Sequence, residues 1–426
     1  MMAGRQRVLI LGGGAGGSEL AARLGNRDDV TATLVDRQPS HLWKPRLHEF
    51  AAGTIDSTLS ELSYYMIARM RGFEFEQGTV TKIDPARKTV HLVGPESPDG
   101  HGAAPRDLSY DRLVLALGGV TPDFGTQGVA EHAVRLDERG DADRFRARFI
   151  AAMIGARETG RPARVVIVGS GATGTELAAN LRQVEAGFFR ADGRAPRDML
   201  EILIAEAASQ LMPGAEAALR QSVEERLATL EIDTLTNAKI AEITADEVIS
   251  ADGTRYPADI SVWAAGLVGN PCLAELADFD MDPKGRIVVD SRLRTALDPS
   301  IQIFGDAACF TPEGADAALP PTAQCASQQA EYLGSAIPKL LAGEEPGPFR
   351  YDDRGRLLSL ARAGSVGQIG FGRKSDFLVK GKFANAAYKS LQRHHQWTLL
   401  GPLRGGVAIF ADWLSPAKGA QLKLHG

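Results

Sequence analysis

The sequence predicts an α/β chain in which two doubly wound βαβ domains are followed by an amphipathic C-terminal segment. Three observations carry that reading. A strand, a glycine cluster and a helix open the chain, the same grammar returns about 157 residues later, and a basic, aromatic-rich tail follows both. At 426 residues the chain is too long for one ordinary core, and 44% hydrophobic with 24% charged residues exclude wholesale disorder.

Residues 7–11 (RVLIL) read as a short buried strand, residues 12–17 as the turn that leaves it, and Leu20, Ala21 and Leu24 as one face of a helix. A second strand at 31–35 ends at Asp36. The repeat begins with a strand at 164–168 (RVVIV), continues through the turn 169–174 and a helix over 175–181, and closes with a strand at 202–205 before Glu206. Between the two units, the polar cluster 95–107 predicts a hairpin tip, 113–117 a buried strand closed by Gly118-Gly119, and 144–161 a crossing helix. Beyond them come a strand at 301–304, Gly305-Asp306, a helix over 322–341 and a linker at 343–348.

The turn G-G-G-A-G-G satisfies G-x-G-x-x-G with Gly12, Gly14 and Gly17. The first glycine permits the tight turn, the second lets backbone approach a pyrophosphate, and the third lets helix pack on strand. Asp36 is placed to accept hydrogen bonds from a ribose diol. In the second copy, G-S-G-A-T-G, Gly169, Gly171 and Gly174 take the same roles and Glu206 is the acidic partner. Glu206 should hold the adenine ribose of NADH and repel the 2′-phosphate of NADPH, since the following AASQL offers that phosphate no arginine. Two Rossmann-like dinucleotide-binding domains in one chain suggest one nicotinamide and one flavin, a pair suited to hydride relay. A carboxylate at Asp306 can bond the ribityl chain of a flavin. Glu176, on the first turn of its helix, reads either as a dipole-complementing carboxylate or as a group facing the nicotinamide.

From residue 373 to the end the chain carries nine basic and two acidic residues, a net +7 against a total of −5, leaving −12 for the rest. Phe383, Tyr388, Leu391, Trp397, Leu399, Leu400, Ile409, Phe410, Trp413 and Leu414 are set into this basic background. Such segments favour an anionic membrane surface, the alternative being a core or dimer helix. No run approaches the roughly 20 apolar residues of a membrane-spanning helix, and residues 1–7 do not read as a signal peptide. Cys272, Cys309 and Cys325 contain no C-x-x-C pair, and the eight histidines show no metal-ligand spacing. The net charge gives no reason to expect nucleic acid.

Together these residues resemble the type II NADH:quinone oxidoreductases, single-subunit respiratory dehydrogenases that do not pump protons. The resemblance runs over nearly the whole chain, through GGGAGG at 12–17, HLWKPRLHEFAAG at 41–53, GSGATGTELA at 169–178, VWAAG at 262–266 and FGDAA at 304–308. PPTAQCASQQ at 320–329, with its A-Q-x-A-x-Q core, and the tail segments SLQRHHQWTLLG at 390–401 and LKLH at 422–425 narrow it to this family in its proteobacterial form.

The resemblance implies non-covalent FAD held by Gly12, Gly14, Ala15, Gly16, Gly17, Asp36, Arg37, Lys44, Val80, Gly118, Asp306, Ala323 and Gln324. It implies NADH held by Gly169, Gly171, Gly174, Glu206, Ala265 and Gly266. Glu176, Gln324 and Gln328 are the expected catalytic residues, with the two glutamines facing a quinone and Glu176 near the flavin–nicotinamide contact. His48 falls in a segment near the flavin. The expected domains are an FAD-binding domain in two parts, 1–158 and 285–345, an NADH-binding domain at 159–284, and a membrane-anchoring region at 346–426. The expected partners are a membrane quinone, the anionic inner-membrane surface on its cytoplasmic side, and a second copy of the chain as a homodimer. A sulfide:quinone oxidoreductase is the nearest alternative and would need cooperating cysteines. A soluble NADH-dependent reductase of an iron–sulfur protein would not need the tail.

Overall fold

The computed structural model describes residues 5–55, 61–95, 102–188, 199–370 and 376–414. Strand β1 (Gln6–Leu11), helix α1 (Ala15–Leu24) and strand β2 (Val30–Asp36) form the first βαβ unit. β1 is the centre of a five-stranded, all-parallel sheet that runs 301–303, 112–115, β1, β2, 74–77. Val8, Leu9, Ile10 and Leu11 are all buried, the unbroken apolar run that a parallel strand covered on both faces requires. α1 begins at the glycine turn without a side-chain cap, so its first N–H groups stay open to a ligand.

The second unit repeats the first. Strand β3 (Ala163–Val168), helix α2 (Ala172–Phe188) and strand β4 (Leu200–Ala205) sit in a sheet ordered 133–134, 260–263, β3, β4, 233–235, again all parallel. Its edge strand, Ala133–Val134, precedes the helix Arg139–Thr159, whose Phe145, Phe149 and Met153 belong to the second core. Helix α2 starts earlier than the sequence suggests and runs on to Phe188, because Val184 and the buried pair Arg182–Glu185 extend its packed face. The hairpin expected around 95–107 is present as antiparallel strands Thr89–Val93 and Arg106–Ser109, with its tip outside the described residues.

Helix α3 (Ala323–Leu341) lies against α1 and sends Ala330, Leu333 and Ile337 into the first core at helical spacing. Residues 343–348, which read as a linker, are tied down. Arg292 donates to the Pro346 carbonyl (2.8 Å) and pairs with Glu345, Tyr332 donates to the Gly347 carbonyl (2.8 Å), and Phe349 is buried. A three-stranded antiparallel meander follows at 356–359, 365–370 and 376–380.

The tail is helix α4 (Lys382–Leu414), broken at Gly401 (φ 77°) before Pro402. Its first half buries Ala384, His395 and Leu399 and exposes Phe383, Leu391 and Trp397. No described helix is long and apolar enough to cross a membrane. The expected membrane-facing side chains of Ile409, Phe410, Trp413 and Leu414, and all of residues 415–426, lie outside the described structure.

Leu399 is fully buried in the first core, so α4 is part of that core rather than an appendage. Leu399→Ala should therefore cost about 2–5 kcal/mol in urea unfolding. A loss below about 1 kcal/mol would mean that α4 is only loosely attached.

Two nucleotide cradles and a candidate active site

The two glycine turns are built alike to within a few tenths of an ångström. A Cβ on Gly12 (φ 100°) would stand 2.5 Å from the Ala116 carbonyl oxygen, and one on Gly169 (φ 108°) 2.5 Å from that of Ala264. A Cβ on Gly17 would stand 1.9 Å from the Gly12 oxygen, and one on Gly174 2.1 Å from the Gly169 oxygen. By contrast, Cβ atoms on Gly14 and Gly171 would meet nothing within 4 Å. The first and third glycines are thus forced by the protein, while the middle one faces open space where a pyrophosphate can approach.

Asp36 and Glu206 repeat each other too. Asp36 accepts from Gly13 N (2.6 Å) and Gln38 N (2.8 Å), and Glu206 accepts from Ser170 N (3.0 Å) and Ala208 N (2.9 Å). Each carboxylate is aimed by backbone donors and keeps lone pairs for a ribose diol. Arg37 pairs with Glu138 at 2.8 Å.

Around the first cradle, Asp306 sits in the turn Gly305–Ala307. Burial raises its carboxyl above the usual range, while the Lys44 and Arg286 charges oppose that rise. Among the described residues no side chain or backbone group hydrogen-bonds it. A half-buried carboxylate with no donor among the described residues is open to one from outside, and a polyhydroxyl chain is such a donor, so the site fits a flavin. Lys44 donates to the Gly119 carbonyl (3.2 Å), and Gly118 (φ 68°) faces open space. Val80 lies in strand Thr79–Asp84, half-buried against the first core. Gln329, which no sequence pattern singled out, is buried and accepts from Gly305 N at 2.7 Å, fixing the turn that carries Asp306.

Ala323 opens α3 behind Thr322, whose hydroxyl accepts from Cys325 N (3.2 Å). Gln324 and Gln328 do share one face, but both amides are engaged by the segment that follows the strap. Gln324 donates to the Tyr351 hydroxyl (2.7 Å), and Gln328 exchanges two hydrogen bonds with the backbone of Asp352 (2.7 and 2.9 Å). Gln324 gives its second N–H to Asp353 (3.4 Å), whereas Gln328 uses only one of its two amide N–H groups among the described residues. Tyr351 and Asp352 carry no local signal in the sequence. On the second cradle's side, Ala265 and Gly266 (φ 77°) leave strand Ile260–Trp263 beside Phe124.

Glu176 is buried where three parts of the chain meet. One oxygen accepts from Ser359 N (2.8 Å) and the other stands 3.6 Å from His48 Nε2. Burial pushes the carboxyl up to about 8, with the Ser359 bond opposing and the Glu49 charge adding to the rise. Burial also drives His48 down to about 4. Burial thus disfavours the charged form of both groups across their contact. His48 Nε2 and the Tyr388 hydroxyl from α4 are buried with no hydrogen-bond partner among the described residues.

The cysteines do not form a redox pair, and all three are free. Cys325 is buried, and that burial with the Asp306 charge pushes its thiol up to about 12, which leaves it inert as a nucleophile. Cys272 and Cys309 are also raised, chiefly by burial.

Because Glu176 titrates near 8 folded and near 4.5 unfolded, the unfolded chain loses that proton first as pH rises, and stability falls across this window. Glu176→Gln should flatten the fall in Tm between pH 5 and pH 8. Equal slopes for the variant and the parent would show that Glu176 is not held neutral.

Residues 6–330 match the family model described as pyridine nucleotide-disulphide oxidoreductase. The chain is 34% identical to a type II NADH:quinone oxidoreductase of Haemophilus influenzae, over 99% of this chain and 100% of that protein. It is 29% identical to the type II NADH:quinone oxidoreductase of Mycobacterium tuberculosis, over 88% and 82% respectively. Among solved structures, NDH2 of Plasmodium falciparum in complex with NADH superposes with a TM-score of 0.79 at 18% identity, covering 96% of this chain and 98% of that one. The sulfide:quinone oxidoreductase of Aquifex aeolicus gives 0.74 at 19% identity, covering 99% and 100%, so the fold alone does not separate the two activities. The full-length relation at 34% identity does, and the chain belongs to the pyridine nucleotide-disulphide oxidoreductase family and, within it, to the type II NADH:quinone oxidoreductases.

Proposed function

We propose that the chain is an FAD-dependent NADH:quinone oxidoreductase that takes hydride from NADH and reduces a membrane quinone by two electrons without pumping protons. The observation that carries this reading is the end-to-end relation to the Haemophilus influenzae enzyme, which extends through the tail. FAD, when bound, supplies the hydride acceptor and the two-electron donor.

The chain's own residues hold and orient. Gly12, Gly14, Ala15, Gly16 and Gly17 cradle the flavin pyrophosphate at the start of α1, and Asp36 with Arg37 takes the adenosine end. Lys44, Val80, Gly118, Asp306, Ala323 and Gln324 line the remainder. Gly169, Gly171 and Gly174 receive the NADH pyrophosphate, Glu206 holds the adenine ribose, and Ala265 and Gly266 border the nicotinamide. Glu176, kept neutral by burial, can donate a proton or orient the carboxamide. Gln324 and Gln328 meet the quinone, Gln328 through its second amide N–H.

The flavin-binding domain comprises 1–158 and 285–345, the NADH-binding domain 159–284, and residues 346–426 bring the protein to the cytoplasmic face of the bacterial inner membrane as a peripheral homodimer. The exposed Phe383, Leu391 and Trp397 beside basic residues support a face for anionic lipid.

Anaerobic two-step mixing tests the reading. NADH should bleach the flavin band of the purified protein quickly, and a soluble short-chain quinone should restore it. Bleaching by sulfide but not by NADH would move the assignment to a sulfide:quinone oxidoreductase. Bleaching without recovery would point to a protein acceptor. For the ribose contact, Glu206→Gln should narrow the preference for NADH over NADPH by about tenfold, the scale of one charge-assisted hydrogen bond. Unchanged selectivity would remove Glu206 from that role.

A further inference from the structure

A run of buried polar groups joins the tail helix to the first glycine turn. Ser327 Oγ donates to Glu19 Oε2 (2.7 Å), and Glu19 Oε1 meets His395 Nδ1 (2.7 Å). His395 Nε2 meets His41 Nε2 (2.8 Å), and His41 Nδ1 meets the Gly13 carbonyl (3.0 Å). Glu19, His41 and His395 are 1%, 2% and 3% exposed. Three buried ionisable groups in line, drawn from α1, the strand Ser40–Leu42 and α4, are otherwise unexplained.

The proton positions follow from the chemistry of the acceptors. A carbonyl only accepts, so His41 carries a proton on Nδ1. Burial and the neighbouring ring push His41 down to about 3, so it is the neutral imidazole and its Nε2 is an acceptor. His395 must then supply Nε2–H; burial lowers its ring while the Glu19 bond and charge oppose that, and the same bond and charge hold Glu19 below the usual range. Trp43 packs on the His395 ring at 4.0 Å between centroids, and Arg46 donates to Gln392 (2.7 Å), so the segment holding His41 and the tail helix are clamped together.

The end of the run is the flavin cradle. The Gly13 carbonyl accepts from the Tyr64 hydroxyl (2.5 Å) as well as from His41. In a trans peptide the carbonyl and the next N–H point in opposite directions. Two donors on the Gly13 oxygen therefore aim Gly14 N–H at the open side of the turn, where no described residue accepts it and a Cβ on Gly14 would meet nothing.

We propose that His395 of the tail helix is a positioning residue for the flavin site: it holds His41 as an Nδ1–H donor, His41 orients the Gly13–Gly14 peptide toward the pyrophosphate, and tail docking and FAD retention are thereby one coupled equilibrium. By reciprocity, anything that loosens the tail helix weakens flavin binding, and flavin loss loosens the helix. The inference rests on the assignment of FAD to the first cradle.

The test uses the full-length protein carrying Glu19→Gln with His395→Leu, which removes the ring and the buried charge together and so avoids an unpaired carboxylate. Release of FAD, followed by the gain in flavin fluorescence, should quicken by roughly 3- to 10-fold, the effect of one lost hydrogen bond. ADP should bind the apoprotein more weakly by the same factor, while adenosine, which has no pyrophosphate, should bind as before. Adding His41→Leu should change nothing further, because His395 acts through His41, whereas adding Tyr64→Phe should multiply the loss. Unchanged release would overturn the proposal. So would equal weakening of ADP and adenosine with a lower unfolding midpoint of the apoprotein, the mark of general loosening. A parent protein that binds no FAD would overturn the flavin assignment itself.

Discussion

The fold turns on two contacts in which a helix is pressed against the strand that feeds it with no side chain between them. At Gly12–Gly17 and again at Gly169–Gly174 the third glycine lies so close to the carbonyl of the first that any Cβ would collide with it. That approach sets where α1 and α2 begin, and hence where their open N–H groups point. It also sets the tilt of each helix on its sheet. Four strands of the two sheets correspond, but the outer edge is the last strand of the first sheet (301–303) and the earliest of the second (133–134); the backbone bonds that aim Asp36 and Glu206 are alike.

The chain buries several carboxyl groups, and it neutralises them in different ways. Glu176 keeps its proton, since burial outweighs its one backbone donor. For Glu19 burial raises the carboxyl, but the His395 bond and charge, the Ser327 bond and Arg23 outweigh it and hold it below the usual range. Asp306 has no hydrogen-bond donor among the described residues, and the Lys44 and Arg286 charges oppose the rise that burial gives it. These are the three outcomes open to a carboxyl in a low-dielectric setting: protonation, pairing, or waiting for a ligand. Each one marks a place where a bound group or a neighbouring element must supply what water would.

The tail links these places. Its first half carries Leu399 into the first core, His395 to Glu19, and Tyr388 toward Glu176, while Phe383, Leu391 and Trp397 stay outside. A helix with one face in the flavin domain and the other exposed is suited to report contact at a surface to the interior. The helix breaks at Gly401-Pro402, just beyond Leu399.

Much of this was legible in the residues. The βαβ units, their glycines and their acidic partners depend on local chain chemistry: apolar runs, φ values that favour glycine, and carboxylates at strand ends. Local order therefore determined them, and the full-length resemblance supplied the family. The sequence could not show that Gln324 and Gln328 are already engaged by Tyr351 and Asp352, or that Gln329 rather than its neighbours holds the Asp306 turn. Nor could it show that residues 343–348 form a fastened strap, that Glu176 is neutral, or that His41 and His395 touch. Those facts rest on which distant segments come into contact and on how much water they exclude. Both are properties of packing across hundreds of residues, which spacing along the chain does not encode and only the tertiary structure decides.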